Sequence, residues 1–115
     1  MPSPPLAPDD GPIDLEQLRR MTLGDEALEH EVLAMFSAQS ARLIASLANI
    51  PPEAAAIAHT LKGSARAIGA HAVAEAASRL EAAISTARGT AEALAELADA
   101  VAMAQGAIED LLKRS

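Results

Sequence analysis

Apolar residues recur along this chain at the three- and four-residue spacing of amphipathic helices. Ile13, Leu15, Leu18 and Met21 suffice for a short leading helix. Thr22-Leu23-Gly24-Asp25 then interrupts the pattern, with Asp25 suited to cap the next helix. Leu28, Val32, Met35, Phe36, Leu43 and Leu47 predict a long second helix reaching about Ala48. Asn49-Ile50-Pro51-Pro52 ends it, and proline is tolerated in the first turn of the third helix, expected from Pro52 to Ile68. Gly69 is placed to stop that third helix in the left-handed conformation. A fourth, from His71 to about Ala87, carries Val73, Ala77, Leu80 and Ile84 on one face, with Gly89 after it. The last helix is expected to start behind Thr90 as its N-cap, with Leu94, Leu97, Val101, Ala104, Ile108 and Leu111 on its apolar face.

Composition sharpens the fold class. Half of the 115 residues are hydrophobic, and 29 of those are alanine, while valine occurs three times and Phe36 is the one aromatic residue. Strands favour β-branched and aromatic side chains, so little is available to build a sheet. Alanine and leucine are the strongest helix formers and allow close helix approach. The expectation is an all-α fold, an antiparallel up-down four-helix bundle with a short extra N-terminal helix. One domain over residues 13–115 is expected, behind a tail at residues 1–12 that holds five of the seven prolines and cannot bury apolar surface.

Several functions are disfavoured by the same composition. The absence of cysteine excludes disulfides, thiolate metal sites and a cysteine nucleophile. A net charge of −7 argues against nucleic-acid and anionic-membrane binding. No apolar run approaches the roughly 18–20 residues of a membrane span, and the N-terminus does not read as a signal peptide, so a cytoplasmic protein is expected.

The third helix has an unusual face. On a wheel of about 100° per residue, Ile57, Leu61 and Ile68 fall opposite His59, while Lys62, Gly63 and Arg66 share its side, flanked by Ala55 and Ala56. An interior helical glycine costs about 0.5–1 kcal/mol relative to alanine, a residue used freely elsewhere in this chain. Gly63 therefore points either to the close approach of another body or to a tight crossing by a neighbouring helix. Alone, His59 would read as a solvated surface residue. Beside a cation, an imidazole that is largely neutral near pH 7 is a nucleophile suited to an activated phosphoryl group. A cation one turn away can stabilise the transferred oxygens. Arg66 is a candidate for the same task or for steering an acidic partner.

Ala58-His59-Thr60-Leu61-Lys62-Gly63-Ser64, continuing to Ile68-Gly69-Ala70, resembles the signature of histidine phosphotransfer (HPt) domains. Glu31-Val32-Leu33-Ala34-Met35-Phe36 and Ser78-Arg79-Leu80-Glu81 are similar to that family's second and fourth helices, so the resemblance spans about residues 13–110. It implies that His59 is the phosphoacceptor, Lys62 the phosphate-stabilising cation and Gly63 the clearance for a receiver domain. Ser64 matches a position that is small in the family, and the wheel turns it towards the bundle, for packing or back-bonding. Many members carry glutamine where Glu81 stands; a carboxylate there can accept a hydrogen bond from the imidazole but repels phosphate. The Asn49–Pro52 link is also shorter than usual, which trims the start of the third helix.

The resemblance implies a stand-alone phosphorelay protein, shuttling a phosphoryl group through His59 between receiver domains of a hybrid histidine kinase and of a response regulator. It implies a monomer with no cofactor of its own, Mg²⁺ being supplied by the receiver. Without a nucleotide-binding domain, no ATP-dependent kinase activity is expected. The rival reading is a non-catalytic helical adaptor that binds signalling domains without phosphate; a kinase dimerisation domain is a weaker third, since no ATP-binding domain follows. Residues 53–88 hold four cations against three carboxylates in an otherwise acidic chain, which suits docking onto an acidic phosphoacceptor pocket. His30 and His71 lack the spacing of metal ligands, with His71 reading as a helix-start residue, so no metal site is expected.

Overall fold

The computed structural model describes residues 11–114. They form five α-helices and, among the described residues, no strand: α1 (Leu15–Thr22), α2 (Glu26–Leu47), α3 (Ala54–Ile68), α4 (His71–Thr86) and α5 (Thr90–Lys113). α2 packs on α3 and α5, and α4 packs on the same two, closing a four-helix ring. The short α1 lies across α2 and α3. The expected bundle with its leading helix is what the chain adopts; residues 1–10 of the proline-rich tail lie outside the described residues.

Local chemistry sets most of the helix ends. Asp14 Oδ1 accepts the Gln17 backbone N–H at 3.1 Å, and Asp25 Oδ1 accepts that of Leu28 at 3.0 Å, so each caps its helix as an aspartate should. Gly69 ends α3 at φ 85°, with the Ala70 N–H bonded back to the Ala65 carbonyl at 2.8 Å. A second constraint acts there: a Cβ on Gly69 would stand 2.8 Å from the Asp14 carbonyl oxygen. The Asp14 N–H in turn donates to the Gly69 carbonyl at 2.9 Å, locking the start of α1 to the end of α3.

Three boundaries differ from expectation. α3 begins at Ala54 rather than Pro52, because the Ala54 N–H closes a turn onto Pro51 and the helical ladder opens with Ile57 to Glu53 at 3.0 Å. α4 stops at Thr86, with Ala87 itself in the left-handed conformation at φ 56°. Thr90 is not a cap but the first residue of α5; Gly89 is the N-cap, and the Thr90 hydroxyl donates to the Ala83 carbonyl at 3.4 Å.

The core is a column of leucines packed among alanines. Leu18, Leu33, Leu47, Leu61, Leu80 and Leu97 are each at most 2% exposed, and burying one such side chain contributes about 1.5–3 kcal/mol. Ala54, Ala58 and Ala65 of α3 and Ala74 and Ala77 of α4 belong to the same buried cluster, and their small side chains let the two helices pack closely. The buried stripe of α3 is therefore Ala54, Ala58, Leu61, Ala65 and Ile68, with Ile57 only half buried. On α2, Leu33 and Ser40 are buried, whereas Leu28 and Met35, read from the sequence as apolar-face residues, are 40% and 65% exposed. The helix turns a flank of its apolar arc outwards because α3 and α5 cover only part of it.

Candidate functional site

α3 presents Ala55, Ala56, His59, Thr60, Gly63, Arg66 and Ala67 to solvent. Apart from His59 and Arg66 the face carries no bulk. The His59 side chain is 70% exposed, and its Nδ1 lies 3.1 Å from Oε2 of Glu81 on α4. A carboxylate can only accept, so this contact places the hydrogen on Nδ1 and leaves the Nε2 lone pair free.

Lys62 completes the cluster, one helical turn after His59. Its ammonium meets Glu81 Oε1 at 2.6 Å, with the lysine and glutamate side chains 17% and 25% exposed. Oε1 is out of reach of water, and the Lys62 ammonium is its partner. Burial pushes the Glu81 carboxyl up, but contacts with Lys62 and His59 outweigh it and hold the group below its ordinary value. Glu81 is thus a carboxylate at neutral pH. The sequence placed Lys62 beside His59 on the outer face; its ammonium is instead drawn inwards against α4.

Among the described residues, nothing explains Gly63. A Cβ there would meet no atom within 4 Å beyond its own helix, so no neighbouring helix among the described residues crosses tightly at this point. Of the two readings left open by the sequence, external clearance is the one that fits. Ser64 is half buried against α2, and among the described residues its hydroxyl makes no hydrogen bond. Arg66 lies further along α3 on the α4 side, lining an open cleft with His71, Ser78 and Arg79.

An apolar groove borders this face on the α2 side. It has a volume of about 550 Å³ and lies between the end of α1, α2 and the second half of α3, with Met21, Val32, Met35, Phe36, Ala67 and Ile68 in its walls. Methionine at helical spacing reads as core, and only the packing reveals that Met21 and Met35 are 41% and 65% exposed.

The other histidines take no part. His71 starts α4, as its position suggested, and its Nε2 faces Asp14 Oδ2 at 3.3 Å. Among the described residues no three His, Asp or Glu side chains are grouped to hold a metal ion, and no helix is long and apolar enough to cross a membrane.

The Hpt domain family model matches residues 31–114, a stretch that holds α3, α4, α5 and most of α2 but leaves α1 outside. No curated protein and no solved structure matches the chain. With His59, Lys62 and Gly63 on one exposed helix inside the matched stretch, the chain belongs to the Hpt family, the domains of phosphotransfer in two-component signalling that interact there with receiver domains.

Proposed function

We propose that this chain is a phosphorelay intermediate that carries a phosphoryl group on Nε2 of His59 between the aspartates of two receiver domains. The observation that carries the reading is the exposed His59 ring held at Nδ1 by an ionised Glu81, with open space over Gly63. In the forward step the Nε2 lone pair attacks the phosphorus of an aspartyl phosphate. The P–O bond breaks as the N–P bond forms, and the receiver recovers its carboxylate. The proton on Nδ1 stays in place, and the positive charge that develops on the ring faces Glu81 Oε2. The second receiver's aspartate reverses the sequence. Both phosphorylated species are high in energy, so transfer runs in either direction.

Lys62 brings the site's cation to the transferred oxygens. An ammonium has three donors, and the contact with Glu81 Oε1 leaves others to turn outwards. Gly63 gives the receiver room to approach, and the Mg²⁺ that such chemistry uses belongs to the receiver. The Met21–Met35 groove beside this face supplies apolar docking surface.

The test is transfer from a phosphorylated receiver domain to purified protein, with His59→Gln alongside. Acid-labile, base-stable label on wild type alone supports the relay. Absence of label from every receiver tried, with the helical fold intact, overturns it in favour of a binding adaptor.

A further inference from the structure

Electrostatic recognition of the partner needs a cation that is free to meet it. Lys62 is engaged by Glu81 at 2.6 Å, and Arg79 is engaged by Glu96 at 2.9 Å. Arg66 has no such partner among the described residues but faces the polar cleft on the α4 side, which leaves Arg42 of α2. It is exposed, and among the described residues its side chain has no hydrogen bond or ion pair. It also lines the apolar groove, where it is the one charged residue; the remaining polar lining, Gln39 and Ser64, is neutral.

Its level in the bundle matters as much as its freedom. α2 and α3 are joined by a short turn and run in opposite directions. Arg42 lies five residues before the end of α2, and His59 five residues after the start of α3. With the same rise per residue in both helices, the two share one level of the bundle. Met35 and Ala67 lie further down the same pair of helices, at the opposite end of the groove. The groove therefore has a cationic end beside the phosphoacceptor level and an apolar end away from it.

We infer that Arg42 is a specificity-determining residue of the docking surface, and that the groove receives a receiver-domain surface whose apolar side chains cover Met35 and Ala67 while a carboxylate next to its phosphoacceptor pocket meets Arg42. The inference rests on the proposed relay and names which partner surfaces that relay accepts. Charge complementarity selects the occupant: the chain carries −7 overall, so an acidic receiver is repelled by most of its surface and admitted where an unpaired cation borders apolar surface. An arginine is suited to the role because its planar fork binds a carboxylate through two hydrogen bonds.

The experiment uses the full chain and the receiver domain that exchanges label with wild type. Transfer rates are measured against receiver concentration at low and high salt for wild type, Arg42→Glu, Arg42→Lys and Arg88→Glu. Arg88 sits exposed at the α4–α5 turn and is not a groove residue, so its reversal changes net charge equally without touching the proposed contact. The expected result is a rise in KM of about tenfold for Arg42→Glu with kcat little changed and a flatter salt dependence, near-wild-type behaviour for Arg88→Glu, and a smaller loss for Arg42→Lys. Equal losses in Arg42→Glu and Arg88→Glu would reduce the effect to net charge and overturn the inference, as would wild-type KM in Arg42→Glu. Failure of wild type itself to exchange label counts against the relay instead, so the two ideas fail on different measurements.

Discussion

Nδ1 of His59 on α3 and Oε2 of Glu81 on α4 stand 3.1 Å apart, across 22 residues of sequence. Because the carboxylate is ionised, it selects the ring tautomer that frees Nε2. Removing the acceptor releases the ring. Glu81→Ala is expected to mix both tautomers in the ¹⁵N spectrum of His59 and to slow transfer about tenfold, equivalent to about 1.4 kcal/mol of barrier. Glu81→Gln keeps an acceptor oxygen and is expected to retain one tautomer and most of the rate. A single unchanged tautomer in Glu81→Ala would remove the positioning role.

Acid should dismantle the same cluster. The Glu81 carboxyl titrates below its ordinary value of 4.5 in the folded chain, so the unfolded chain binds the proton more readily. Its contribution to stability is therefore present above about pH 4.5 and is lost as pH falls through the lower folded value. Urea unfolding at pH 6, 4 and 3 should show wild type losing stability more steeply than Glu81→Gln over the acid interval. Parallel losses in the two proteins would show that Glu81 carries no such linkage.

Gly63 and Gly106 form a natural control pair. Both sit inside helices, both are exposed, and a Cβ on either meets open space. Alanine at each position should raise stability by about 0.5–1 kcal/mol, read from chemical denaturation. Only the larger change Gly63→Gln should block transfer, while Gly106→Gln should leave it intact. A Gly63→Gln protein that transfers normally would show that no partner approaches there.

Gly69 should be intolerant for two separable reasons. Its φ of 85° strains any L side chain, and a Cβ would press on the Asp14 carbonyl. Gly69→Ala is expected to cost about 1–3 kcal/mol and to loosen α1, seen as faster amide exchange at Leu18. An unchanged melting temperature would mean that α1 shifts without penalty.

Much of the fold was legible because helix formation is local. Asp25 caps α2 and Gly69 ends α3 through bonds that reach only a few residues, so their types announce them. Thr90 misled because its hydroxyl had a second option, the Ala83 carbonyl of the preceding helix. Alanine blurred the burial pattern: it scores as neither face, yet Ala54, Ala58 and Ala65 are fully buried while Ala55 and Ala56 are exposed.

Short-range pattern alone was enough for an all-α chain, for the approximate bounds of its helices, and for placing His59, Lys62 and Gly63 within little more than one turn of α3, since all of that depends on residues a few positions apart. Packing was needed to bring Glu81 against both His59 and Lys62, to turn the Lys62 ammonium inwards, and to leave Met21, Met35 and Arg42 around an open groove. Those outcomes depend on which flank of each helix its neighbours leave uncovered. The period of a single helix describes an apolar arc, but the neighbours choose how much of that arc is buried, and here they leave its edge exposed on the His59 side of the bundle.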